Sequence, residues 1–130
     1  MMKAWDTNFL VRHLVEDDDE QVRIARGELT KAQRSGNRIW ISSVIMVEAA
    51  WVLKAYGLRK PQVLASLESI CRDERFEVEG GGDMMEAIAR ARRKGDLPEH
   101  VAALGAKRAG RRKTQTFDHA VREFPEFEVF

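Results

Sequence analysis

The chain has 130 residues, 44% of them hydrophobic and 33% charged, with a formal net charge of +1. That length suits a single domain burying roughly two thirds of its unfolded surface, and the composition is that of a soluble globular protein rather than a disordered one. The longest apolar runs, Val44 to Val47 and Ala49 to Leu53, are split by Glu48 and fall short of the about 20 residues a membrane-spanning helix needs.

The first segment reads KAWDTNFLVRHLV. Lys3 to Trp5 make a very short strand, and Thr7 is placed to cap a helix ending near Val15,. Asp6 and Arg12 interrupt the region where a secretory signal would carry its apolar core,. Asp6 stands at the strand-to-helix junction, either as a turn residue accepting a backbone hydrogen bond or as a functional carboxylate. The acidic run from Glu16 to Glu20 opens a second helix that fades at Ser35-Gly36. Asp17, Asp18 and Asp19 are read there as acids suited to a helix dipole, not as metal ligands.

RIWIS, residues 38–42, has the content of a buried strand, and Ser42 or Ser43 caps the apolar helix running to about Tyr56-Gly57,. Glu48 lies in that helix with Val44, Ile45, Trp51 and Val52 three and four residues away. That spacing puts it in the middle of an apolar stripe. A lone buried carboxylate is strongly disfavoured, so an Arg, another cation or a raised pKa must answer it. Pro61 starts a further helix to about Arg72, with Val63, Leu64, Leu67 and Ile70 facing inward,. It contains Cys71, the only cysteine. No internal disulfide can form, and a packed, inert thiol in a reducing cytoplasm is expected.

RFEVE reads as a third short strand, and GGGD as a loop with Asp83 capping a helix to about Lys94,. The three glycines lack the lysine and spacing of a phosphate-binding loop. GDLPEHVAAL then starts a helix in which Asp96 and Glu99 form a capping box or else reach into a crevice with other acids,. KTQTFD and EFEVF are the last strand-like segments, with a helical turn from His119 to Glu123 between them. Asp118, like Asp6, follows strand-like residues, and is a helix cap or a functional group. Strands alternating with helices predict a three-layer α/β/α arrangement with a mostly parallel sheet, whose crevice lies at the carboxyl ends of the strands.

Two wider patterns bear on function. Asp6, Glu48, Asp118 and the Asp96/Glu99 pair would repel one another unless a cation held them, and a hard ion such as Mg²⁺ or Mn²⁺ takes such oxygen ligands. The three histidines, His13, His100 and His119, are scattered and are read as surface or supporting residues,. Between Arg90 and Lys113, nine basic residues (Arg90, Arg92, Arg93, Lys94, Lys107, Arg108, Arg111, Arg112 and Lys113) face two acids. That segment is either a solvated helix face or a surface for a polyanion.

With these residues in place the chain resembles the PIN domain, and within it the VapC-type ribonuclease toxins of toxin–antitoxin pairs. The resemblance spans essentially all of the chain and rests on DTNFLVRHLVEDDDEQ, ISSVIMVEAAWVLKAYG, GDLPEHVAALGAKRAG and TQTFDHAVREFP. It implies one α/β/α domain over residues 1–130, an endoribonuclease dependent on Mg²⁺ or Mn²⁺, a cognate VapB-type antitoxin, and a homodimer. Asp6, Glu48 and Asp118 match the family's acids. Glu99 falls where the family usually has Asp, and Asp96 matches a less constant Asp before it. Thr7, Asn8 and Thr116 match small polar residues that line or support the site. His100 stands where the family has a hydrophobic residue.

In this reading the acids hold the metal and the basic segment Arg90 to Lys113 holds the RNA backbone. The competing reading is a PIN-fold protein without activity that serves as a binding or regulatory module. A phospho-accepting receiver domain fits worse, since Asp6 stands alone after its strand and Lys113 precedes the last strands.

Overall fold

The computed structural model describes residues 2–17, 19–110 and 113–130. Strand β1 (Lys3–Ala4) leads into helix α1 (Thr7–Val15), followed by α2 (Asp19–Arg34), β2 (Ile39–Ile41), α3 (Ser43–Ala55), α4 (Lys60–Arg72) and β3 (Phe76–Val78). Then come α5 (Gly81–Arg93), α6 (Leu97–Arg108), β4 (Thr114–Thr116), a 3-10 turn (His119–Val121) and β5 (Phe127–Val129). The chain divides into two compact units, Met1–Gly81 and Gly82–Phe130.

In the first unit β1, β2 and β3 form a parallel sheet in that order, with Lys3 opposite Ile39 and Ile39 opposite Phe76. Parallel strands need crossover connections, and α1 with α2, then α3 with α4, supply them,. Helix α2 turns Val22, Ala25 and Leu29 inward, and α4 turns Val63, Leu64, Leu67 and Ile70 inward. For α4 that is the stripe read from the sequence. Ile39 and Ile41 of β2 are fully buried between these layers. Cys71 is half-buried, and burial pushes its thiol up to about 11. It is thus protonated and unreactive.

In the second unit β4 and β5 pair in parallel, Thr114 opposite Phe127 and Thr116 opposite Val129. Ala103, Val121, Phe124 and Phe127 make a core cluster with Val129 against it. Glu126 is buried there and receives hydrogen bonds from Arg90 and Lys107. Burial alone would raise its carboxyl, but those bonds and one from its own backbone amide outweigh it and hold the group low.

Several local expectations change. Asp6, not Thr7, caps α1, its Oδ1 accepting the Phe9 amide at 3.0 Å. Asp83 lies inside the first turn of α5 instead of capping it, and takes two hydrogen bonds from Arg108 at 2.6 and 2.8 Å. Of the acidic run, Asp17 pairs with Arg12 at 2.7 Å, α2 begins at Asp19, and Asp18 lies outside the described residues. Two histidines are not surface groups. His13 packs among Trp5 and Phe76, where burial and Arg75 lower its pKa.

His100 is fully buried, edge-on to Phe124 and Phe127, with Nε2 at 2.7 Å from the Lys94 carbonyl. It does the packing of the hydrophobic residue expected at its position. Gly95 beside it has φ +82, and a Cβ there would lie 2.5 Å from Val121 Cγ1 and 2.9 Å from His100 Nε2. Only glycine fits such a turn.

Candidate active site

Asp6 leaves β1 through Trp5, whose amide donates to the Trp40 carbonyl at 3.1 Å and so prolongs the sheet by one residue. Its carboxylate therefore projects at the carboxyl end of the first strand while also capping α1. The turn and the carboxylate roles read from the sequence coexist, since the cap uses Oδ1. The next residue, Thr7, donates its hydroxyl to Glu48 Oε2 at 2.9 Å. That bond ties α1 to α3 and sets Glu48 beside the Asp6 junction.

Glu48 is exposed, as are Val44 and Trp51 on the same side of α3. The stripe that faces inward is Met46, Ala49, Ala50 and Leu53. The expectation of a buried Glu48 is thus incorrect. The flanking apolar residues that suggested it are themselves at the surface, and among the described residues no Arg or Lys pairs with it. Asn8, also exposed, lines a cleft of about 320 Å³ with Asp6, Phe9, Arg12, Gln21 and Ile24. Arg12 fixes one wall, donating to Gln21, Asp17 and the Tyr56 hydroxyl, each at 2.7 Å. This hub was not legible in the sequence, because its partners come from three separate segments.

In the second unit Asp118 leaves β4 through Phe117, repeating the strand-end geometry of Asp6. Its amide donates to Thr116 Oγ1 at 3.0 Å, and its Oδ1 accepts the Ala120 amide at 2.9 Å. Thr116 thus holds the backbone at Asp118. Asp96 occupies the N-cap position of α6 without a side-chain capping bond, so the capping box does not form. Glu99 turns inward toward Asp118. Its Oε2 is buried with no hydrogen-bond donor against it.

Two carboxyl groups at hydrogen-bond distance need a shared proton or a cation between them. Burial, the Asp118 carboxylate and the Asp96 charge accordingly push Glu99 up to about 7. The Ala120 amide, followed by the Glu99 carboxyl, holds Asp118 below the usual carboxylate range. Glu99 is then the proton carrier of the pair. An orphaned buried carboxylate oxygen beside an ionised one is a donor set that suits a hard divalent cation. Neither unit by itself gathers three or more His, Cys, Asp or Glu side chains into a metal-holding group among the described residues. The structure thus brings Glu48 beside Asp6 through Thr7, and Glu99 to Asp118.

Four of the nine residues of the basic segment are paired with acids that flank it in the chain. Arg90 bonds Glu86 and Glu126, Arg93 bonds Glu123 at 2.7 Å, Lys107 bonds Glu126 at 3.3 Å, and Arg108 bonds Asp83. Arg92 is exposed, Lys94 lines a second cleft, and Arg111 and Arg112 lie outside the described residues. That cleft, about 430 Å³, is bounded by Lys94, His119, Ala120, Arg122 and Glu123. Arg122 was missed because it lies beyond the basic run, nine residues after Lys113.

The PIN domain family profile matches residues 4–120. The chain belongs to the PIN domain family, and the parallel strands with intervening helices are the α/β architecture of that fold. Its members are in general nucleases, so a nuclease-type function follows from membership. No curated protein matches the chain, and no solved structure does.

Proposed function

We propose that residues 1–130 are one PIN domain, that Asp6, Glu48, Glu99 and Asp118 are its metal-binding acids, and that the protein is a Mg²⁺- or Mn²⁺-dependent endoribonuclease. The family match supports this by running across both units. The observation that carries it is the Glu99–Asp118 pair, which has an orphaned buried oxygen and, among the described residues, no Arg or Lys paired with it. Such a cation supplies Lewis acidity toward a phosphoryl oxygen and an acidified bound water.

Asp6 and Asp118 are the direct oxygen donors in this reading, each fixed by a helix-capping bond that leaves one carboxylate oxygen for the ion. Glu48, steadied by Thr7, and Glu99, with Asp96 outside it, complete the set or orient the attacking water. Asn8 lines the approach, and Thr116 locks the Asp118 backbone. Arg92, Lys94, Arg111 and Arg112, with Arg93, Lys107 and Arg108 from their exposed sides and Arg90 from its pair with buried Glu126, hold the RNA backbone. Surface ion pairs are worth only about 0–1 kcal/mol and can yield to phosphate.

By resemblance, the protein is the toxin of a VapBC-type pair and works as a homodimer in the cytoplasm. An amphipathic antitoxin segment would lie along α1, α2 and α3, where Ile24, Val44, Trp51 and Tyr56 are exposed,. Among the described residues no helix is long and apolar enough to cross a membrane.

The test is cleavage of a mixed RNA pool with Mn²⁺. Wild type should cut, and Asp6→Asn should lose on the order of 10²-fold or more of the rate. Absence of cleavage by wild type would favour the alternative, an inactive PIN-fold RNA- or protein-binding module. Glu99 at the usual Asp position is the feature that motivates it, because misplacing a catalytic group by about 1 Å can cost about 10²-fold.

A further inference from the structure

We propose that Phe117 is a base-stacking residue for a single-stranded RNA substrate, and that the cleft of Lys94, His119 and Arg122 takes a backbone phosphate of the same strand. This rests on the ribonuclease reading and adds a substrate-positioning element to it. Phe117 is 85% exposed, more than any other large apolar side chain described. A lone exposed ring is ordinary. Its place is what matters, one residue before Asp118 in the chain.

The backbone on either side of the ring is pinned. Thr116 accepts the Phe130 amide at 3.0 Å through its carbonyl and the Asp118 amide at 3.0 Å through its hydroxyl. Asp118 in turn accepts the Ala120 amide at 2.9 Å and the Val121 amide at 3.4 Å. A solvent-facing ring is therefore held at a fixed offset, about 3.8 Å between Cα atoms, from a carboxylate of the proposed site.

The adjoining cleft supplies charge. Its one acid, Glu123, is engaged by Arg93 at 2.7 Å. Arg122 leans on His119, with Nε donating to the His119 carbonyl at 3.2 Å. Neither Arg122 nor Lys94 forms an ion pair among the described residues, in contrast to Arg90, Arg93, Lys107 and Arg108. A concave patch with two cations and no uncommitted acid favours a polyanion. Phe117 and Phe130 are the exposed large apolar side chains of this unit, too few for a protein-docking face. A stacking ring beside backbone-binding cations is how sequence-tolerant single-strand recognition works.

The experiment measures binding of a fluorescently labelled single-stranded oligoribonucleotide to the full chain in chelator, across a salt series. Phe117→Ala should weaken binding about tenfold, since a stacked base is worth roughly 1–3 kcal/mol. Phe117→Trp should restore it, and the melting temperature should not move because the ring is exposed. Lys94→Ala and Arg122→Ala should each flatten the dependence of log K on log salt by about 0.7, which Phe117→Ala should leave alone.

The inference is overturned if Phe117→Ala binds the oligonucleotide as wild type does while wild-type cleavage and its loss in Asp6→Asn both stand. It is equally overturned if Phe117→Ala changes only self-association or capture of a partner chain. Wild type that neither binds nor cuts RNA would remove the ribonuclease reading itself.

Discussion

Glu99 and Asp118 bring two acids together with no Arg or Lys paired to either among the described residues, so the metal-free protein keeps a proton there. Glu99 has an ordinary value of 4.5 that rises to about 7 in the fold. Between those values the folded state binds more protons than the unfolded one, so stability falls as pH rises through that window. Partial exposure discounts the effect to on the order of 1–2 kcal/mol. In chelator, urea midpoints from pH 5 to pH 8 should fall in wild type relative to Glu99→Gln, in which the lowered pKa of buried His13 leaves a rise with pH,. Equal slopes for the two would mean that Glu99 ionises normally. Asp118 has the opposite sign: its lowered pKa contributes stability above 3.8 that disappears only in stronger acid. The positions of Asp6 and Asp118 were legible as carboxylates following strands. The environment of Glu99 was not, because the capping-box pattern and an inward carboxylate share one spacing.

At the scale of elements, α3 shows what periodicity leaves undetermined. Apolar residues cover nearly its whole circumference, so the sequence predicts a helix of the right length but does not phase it. Ala49 and Ala50, small enough for close approach of neighbouring helices, lie on the buried side, while Val44 and Trp51 face out. Leu53 is fully buried. Leu53→Ala should therefore cost about 2–5 kcal/mol, and Trp51→Ala should stay within about 0.5 kcal/mol, both read from urea unfolding. If α1, α2 and α3 receive an antitoxin segment, Trp51→Ala should still weaken that complex in a pull-down with the co-expressed partner. The other helices lie within a few residues of their expected bounds, because their apolar stripes are narrow and their ends carry Pro, Gly or Ser. The strands are shorter than their apolar runs. RIWIS delivers only Ile39–Ile41 as strand, and Ser42 instead accepts the Ile45 amide at 3.1 Å as the cap of α3.

For the whole molecule, local patterns gave the alternation of strands and helices but not the division at Gly81. Gly80 and Gly81 adopt positive φ there, in a run that reads equally well as a plain loop. Whether Asp6 and Asp118 each take part in holding a cation is a question that linkage answers. A cation that binds only the folded chain stabilises it by about 2.7 kcal/mol at a hundredfold excess over Kd. Mn²⁺ should therefore raise the melting temperature, and more at pH 8 than at pH 6, where the ion must first displace the Glu99 proton,. If these acids hold the ion, Asp6→Asn and Asp118→Asn should each cut that rise in melting temperature sharply while leaving the metal-free melting temperature nearly unchanged. If the rise is the same in both variants as in wild type, the ion binds elsewhere and the metal-site reading fails.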